Sequence, residues 1–105
     1  MNMEAPYIEI EPGHADAELK ADVLRCLTML YSAHPGEQAL DRDFGIDASA
    51  LSKPITTAQA LMAAEFVAKT ARYEPRVRVK RVEWREGDAE EGLVKPKVVV
   101  EIVND

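Results

Sequence analysis

The acids Asp41, Asp43 and Asp47, spaced around Gly45, and Glu74, set immediately before Pro75, come nearest to a reactive arrangement. A calcium loop places oxygen ligands at alternate positions and closes its twelve-residue frame with a glutamate. Here Arg42 and Phe44 alternate with the acids, Ile46 follows the glycine, and no glutamate closes the frame. Aspartates that accept from nearby backbone amides in a solvated turn fit this pattern better than a metal. A glycosidase needs two carboxyl groups about 5 to 9 Å apart, and Glu74 with Asp41 or Asp43 would be the pair. With 19 acidic residues in 105, the presence of such acids says little by itself.

The other reactive types are scattered. His14 and His34 flank a predicted helix, which separates them by about 25 to 30 Å at roughly 1.5 Å per residue, too far to share a metal. The single cysteine, Cys26, forms no disulfide framework and reads as core filler. No glycine-rich phosphate loop, G-x-S-x-G elbow or H-E-x-x-H pair is present, and nothing in the chain calls for a cofactor. Glu74 has a structural alternative to catalysis. Leaving a helix at a proline corner beside Arg76, its carboxylate can anchor an arginine through a two-pronged bond, and Arg42 is a candidate.

The elements that must position these residues follow from periodicity. Leu19, Val23, Leu24, Leu27, Leu30 and Tyr31 recur at helical spacing, which predicts a helix over 16–33 with Asp16 as N-cap, ended by His34-Pro35-Gly36. A second helix is expected from Thr56, with Gln59 completing a capping box and Ile55 and Ala60 a hydrophobic staple. Its packing seam is read as Ala60, Ala64, Val67 and Ala71, with Leu61, Phe66 and Ala68 beside it. Glu74 before Pro75 disfavours helix beyond Tyr73.

Two strands are expected at the C-terminal end, Arg76 to Arg85 and Lys97 to Val103. In the first, Val77 and Val79 share one parity, Val82 and Trp84 the other. Either a bulge near Lys80-Arg81 resets the alternation or both faces are partly covered. The expected fold class is therefore α+β: one domain over 1–105, with two main helices on a small, mainly antiparallel sheet that includes a C-terminal hairpin. Residues 1–15 form an arm or short strand around Tyr7 to Glu11, 34–55 an ordered connection pinned by Leu40, Phe44, Ile46 and Leu51, and 86–96 an acidic hairpin loop.

Charge points to a partner. The net charge is -6, yet Lys69, Arg72, Arg76, Arg78, Lys80, Arg81 and Arg85 face only Glu74 and Glu83 within their own stretch. A basic stripe on an acidic chain suits an acidic protein surface or self-association. Nucleic acid fits less well, because the acidic remainder repels phosphate and Trp84 is the only aromatic residue interleaved with the basic ones from Arg76 to Arg85. The N-terminus lacks signal-peptide character and no apolar run spans a membrane, so the chain is expected to stay inside the cell until assembled.

Two segments carry a resemblance. Pro35-Gly36-Glu37-Gln38-Ala39-Leu40-Asp41-Arg42-Asp43-Phe44-Gly45-Ile46 resembles the P-G-E-x-x-x-x-x-D-F-G segment, and Tyr73-Glu74-Pro75-Arg76-Val77 the Y-E-P-R-[VI] segment, of the phage baseplate-wedge and lysozyme-like family, which includes wedge proteins of type VI secretion. The match extends over roughly residues 19–103. It implies two helices against a small sheet and a structural place in the baseplate of a contractile tail or injection apparatus, among other baseplate or sheath proteins. It also implies that Glu74, Pro75 and Arg76, with Asp43, Phe44 and Gly45, are structural or assembly positions. Arg76, Arg78, Lys80, Arg81 and Arg85 are the expected protein-binding residues. Some relatives carry a lysozyme annotation, but the resemblance supplies no pair of catalytic acids. A peptidoglycan hydrolase and a small anti-adapter-type binding module are the alternatives.

Overall fold

The computed structural model describes residues 2–3, 6–11, 13, 16–36, 41–85 and 93–103. Strands β1 (Asn2–Met3) and β2 (Tyr7–Ile10) are followed by helix α1 (Ala17–Ser32), a 3-10 turn (Ser49–Ser52), helix α2 (Ile55–Tyr73), and strands β3 (Val77–Arg85) and β4 (Leu93–Ile102). The fold is α+β, with both helices against a small sheet. β4 is central: β3 pairs with it antiparallel as the hairpin, while β1 and β2 pair with it in parallel. The expected loop over 86–96 is corrected at its end, since β4 already begins at Leu93 and not at Lys97; residues 86–92 lie outside the described residues, as do His14 and Glu37 to Leu40.

The hairpin register explains the parity conflict in β3. Val77 pairs with Ile102 and Val79 with Val100, but Arg81, not Lys80, pairs with Val99, so Lys80 is the extra residue of a bulge. The insertion returns Val82 and Trp84 to the face of Val77 and Val79, opposite Val98 and Pro96. That face, joined by Ile8 and Ile10 from β2, meets the helices. The opposite face carries Arg78, Arg81, Glu83 and Arg85 from β3 against Glu101, Val99, Lys97 and Lys95.

α1 forms as its pattern predicts. Asp16 accepts from the amide of Leu19 at 2.8 Å, and Val23, Leu27, Leu30 and Tyr31 are buried. Leu24, read as part of that face, is 43% exposed. A stripe centred on Leu27 leaves it at the rim.

α2 departs from the expectation at both its start and its face. It begins at Ile55, with Pro54 in the N-cap position and no side chain capping it; Thr56 already lies in the first turn, and Ile55 is exposed. The capping box and staple are therefore not used, because the entry is fixed at Pro54, two residues before Thr56 could cap. The buried positions are Ala58, Met62, Phe66 and Thr70, while Ala60, Leu61, Ala64, Val67, Ala68 and Ala71 face outward. Apolar residues surround this helix, so periodicity alone does not choose a face. Burying Met62 and Phe66 removes more apolar area from water than burying alanines, and that decides it.

The connection before α2 is held to the core by Ile46 and Leu51, with Phe44 packed against it. The amide of Ile46 donates to the carbonyl of Ala33 at 3.0 Å. Gly45, at φ 118°, makes this crossing possible: a Cβ there would stand 2.6 Å from the Ala33 oxygen.

Candidate assembly surface

α2 ends where the backbone of Glu74 leaves the helical region, its amide still donating to the carbonyl of Thr70 at 2.8 Å. Pro75 forces that exit. The turn brings the buried Glu74 carboxylate against Arg76, whose Nε and Nη2 donate to Oε1 and Oε2, each at 2.7 Å. The remaining nitrogen, Nη1, donates to Asp22 Oδ2 of α1 at 2.8 Å, and Nη2 reaches Cys26 Sγ at 3.7 Å. The amide of Val103, just past β4, donates to the Arg76 carbonyl at 2.8 Å. One arginine thus joins α1, the end of α2, the start of β3 and the end of β4. A bidentate carboxylate pair suits this role because the planar guanidinium fixes angles as well as distances.

The expected partner for Glu74 is corrected in one respect. Arg42 is exposed and makes no ion pair with Glu74; Arg76, two residues away, already occupies both carboxylate oxygens. Cys26 is half-buried against Arg76 and is not a member of the core cluster. The guanidinium holds the Glu74 and Asp22 carboxyls below their ordinary range, and both acids keep Arg76 protonated. A general acid requires the opposite shift. Glu74 is therefore held in an ion pair, with its carboxyl shifted away from the range a general acid needs. No group of three or more His, Cys, Asp or Glu among the described residues could hold a metal ion.

The Asp43-Phe44-Gly45 turn is bolted to the last turns of α2. Lys69 Nζ donates to the carbonyls of Asp43 at 2.6 Å and Gly45 at 2.8 Å, and pairs with Glu65 at 3.3 Å. Glu65 in turn accepts from the amide of Asp47 at 2.8 Å. Phe44 meets Tyr73 edge-on, with centroids 5.1 Å apart, and the Tyr73 hydroxyl donates to Asp41 at 3.0 Å. Asp41 and Asp47 also accept from the amides of Asp43 and Ser49, as the turn reading expects. The two motifs are thus fastened to the same end of the same helix. Asp22 and Glu65 were not singled out from sequence, and Lys69 and Tyr73 only as members of the basic stripe and of the Tyr73-Glu74-Pro75-Arg76-Val77 segment. Glu65 and Lys69 carry a further local signal, an acid four residues before a base on one helix.

The basic stripe is divided: Lys69 and Arg72 lie on α2 and Arg76 at the corner, while Arg78, Lys80, Arg81 and Arg85 belong to β3 on the outer sheet side, and not as free positive charge. Arg78 pairs with Glu101; Lys80 with Glu11 at 2.9 Å; Arg81 with Glu11 at 3.4 Å and Glu83 at 3.7 Å. Lys97 pairs with Glu9 and Glu83, and Arg85 stacks over the ring of Tyr7 at 5.1 Å. This ladder covers Val99, which is fully buried although it points away from the helices. Among the described residues of this face, six basic side chains (Arg78, Lys80, Arg81, Arg85, Lys95, Lys97) stand with four acids (Glu9, Glu11, Glu83, Glu101). The local excess of positive charge is modest, while the chain as a whole is at -6.

Residues 17–104, from the first residue of α1 to beyond β4, match the family model described as baseplate wedge protein gp25. The chain belongs to this family. The matched span holds both motifs and the whole Asp22-Glu74-Arg76 corner. The fold is also similar to that of a chain in the cryo-EM structure of the anti-feeding prophage baseplate, with a TM-score of 0.69 and 20% identity over 80% of this chain and 69% of that one. No curated protein sequence matches the chain at a significant level. Within the gp25-like wedge fold described here, the glutamate-proline-arginine segment lies where the end of α2 meets α1 and the sheet.

Proposed function

We propose that this protein is a structural wedge component of a contractile tail or injection-system baseplate, and that it holds neighbouring wedge or sheath subunits through the outer sheet face and the free edge of β3. The observation that carries the reading is the family match over residues 17–104. The geometry supports it in two ways. The corner built on Arg76 ties both helices to the sheet, as suits a part that sets the register of its neighbours. Among the described residues β3 pairs only with β4, which leaves its other edge for an added strand, and the bulge at Lys80 with the charges beside it restricts which strand can add.

The partner surface is proposed to be acidic, complementary to the positive excess of the sheet face. Before assembly the protein would reside in the cytoplasm. The test is incorporation into a baseplate subcomplex reconstituted with the wedge proteins encoded beside this one. Reversing Arg78 and Lys80 to glutamate should abolish incorporation while leaving a folded protein with unchanged helix content. Unaltered incorporation would remove the proposed surface. Arg76 is unsuitable for this test, because its side chain is committed to Glu74 and Asp22.

A further inference from the structure

The acids of the outer sheet face come from two parts of the chain. Glu83 and Glu101, like the six basic side chains of that face, lie within residues 17–104, the span that matches the wedge family, whereas Glu9 and Glu11 precede it. Glu9 stands on β2, and Glu11 directly after it, its amide donating to the carbonyl of Val100 at 2.9 Å. β2 and β3 both pair with Lys97 to Val100 of β4 and therefore flank it. The Glu11 carboxylate reaches across β4 to meet β3.

The bulge makes that contact double. Consecutive residues of a regular strand point to opposite faces, yet Lys80 and Arg81 donate to the two oxygens of this one carboxylate, at 2.9 and 3.4 Å. The hydrogen bond from Lys80, joined by one from Arg81, holds the Glu11 carboxyl below its ordinary range. Glu9 meets Lys97 at 3.2 Å, and Tyr7 lies under the Arg85 guanidinium. Lys80, Arg81 and Arg85 are side chains through which an acidic neighbour would be held, and the segment 7–11 already engages all three. An acid approaching Lys80 or Arg81 meets a neutralised charge with a like charge beside it, and like-charge contact is costly. It gains only as far as Glu11 gives those side chains up.

We infer that the segment 7–11 gates this contact surface: Glu11, with Glu9 beside it, is a built-in competitor that an acidic neighbour must displace, so docking exchanges ion pairs instead of adding them. The inference rests on the proposed use of the sheet face and names the regulation of that surface. The exchange is cheap for a neighbour that presents acids in matching register, because exposed pairs are weak. A diffuse anion gains nothing from it, which makes the gate a source of specificity.

The test measures the dissociation constant of the full chain for a baseplate subcomplex assembled without it from the wedge proteins encoded beside it. Binding is compared at about 0.01 M and about 0.1 M salt, where the screening length falls from about 30 to about 10 Å. Glu11→Gln, with helix content unchanged, should bind roughly two- to fivefold more tightly than wild type at low salt, the range for releasing an exposed pair. The gain should shrink at the higher salt. Glu18→Gln removes the same charge from the exposed first turn of α1, in the helix layer, and should gain less. Glu9→Gln should also gain less, because Lys97 keeps Glu83 at 3.5 Å. Glu11→Gln binding no more tightly than wild type, or than Glu18→Gln, would overturn the gate, while the surface would stand if reversal of Arg78 and Lys80 to glutamate abolishes binding. If wild type does not bind, or the reversed variant binds equally well, the surface is wrong and the gate falls with it.

Discussion

Glu74 is the residue on which the joint between layers depends. Its carboxylate is buried and meets Arg76 through both oxygens. Glu74→Gln should lower stability by about 1–3 kcal/mol, the range for losing a charge-assisted pair whose partner is partly exposed. The folded-state pKa of Glu74 is depressed. Its contribution is thus complete above the ordinary carboxylate range and is lost as pH falls through that range toward the folded value. Denaturation of both proteins from pH 7 to pH 3 should show the difference shrinking below about pH 4.5, and a constant difference would refute the ion-pair account. A second buried contact makes a separate case. Tyr31 and Thr70 share a hydrogen bond of 2.6 Å between α1 and α2, and burial pushes the Tyr31 hydroxyl up to about 12. Tyr31→Phe or Thr70→Val alone should cost about 1–2 kcal/mol by stranding a buried hydroxyl, and the double change less than the sum. A double-mutant cycle measures this.

At the scale of elements, the structure separates what local chemistry encodes from what packing decides. The N-terminus of α1 was legible because Asp16 caps it in the ordinary way; Asp16→Ala should cost about 1 kcal/mol. Thr56→Ala should change stability by less than about 0.5 kcal/mol, since no side chain caps α2. Equal losses in thermal melts of the two variants would contradict the observed entry at Pro54. The bulge in β3 was legible as one of two alternatives, because four apolar residues with conflicting parity require either a bulge or two partly covered faces, and the register shows the bulge. The buried side of α2 was not, since alanines and valines at helical spacing lie all around it and only contact with the sheet selects Met62 and Phe66. The Asp43-Phe44-Gly45 turn was recognisable as a motif, but its reason, the approach of Gly45 to the Ala33 carbonyl, needs the third dimension. Gly45→Ala adds a clash to an unfavourable φ, whereas Gly36, at φ 96°, has open space around its Cβ position. Gly36→Ala should therefore cost about 1 kcal/mol and Gly45→Ala clearly more. Urea midpoints of the two variants test the order.

For the whole molecule, the question is whether the charges on the outer sheet face serve its own sheet or a neighbour. The pairs are partly exposed: Arg78 is 69% and Glu101 25% exposed, Lys80 38% and Glu11 27%. Such pairs stabilise a fold by less than about 1 kcal/mol, so internal stability is a weak reason for ten charged side chains on one face. An acidic neighbour would be a stronger one, because complementary fields guide docking and fix register. Exchanging the members of one pair distinguishes the two roles. Arg78→Glu alone sets two acids side by side and should lower the melting temperature by a few degrees. Adding Glu101→Arg restores the pair and should recover the melting temperature, while the position of the positive charge on the β3 edge remains changed. If Arg78 meets a partner, the double variant regains stability but still fails to enter the baseplate subcomplex. If the pair serves only the sheet, stability and incorporation return together, and the contact surface must lie elsewhere on the molecule.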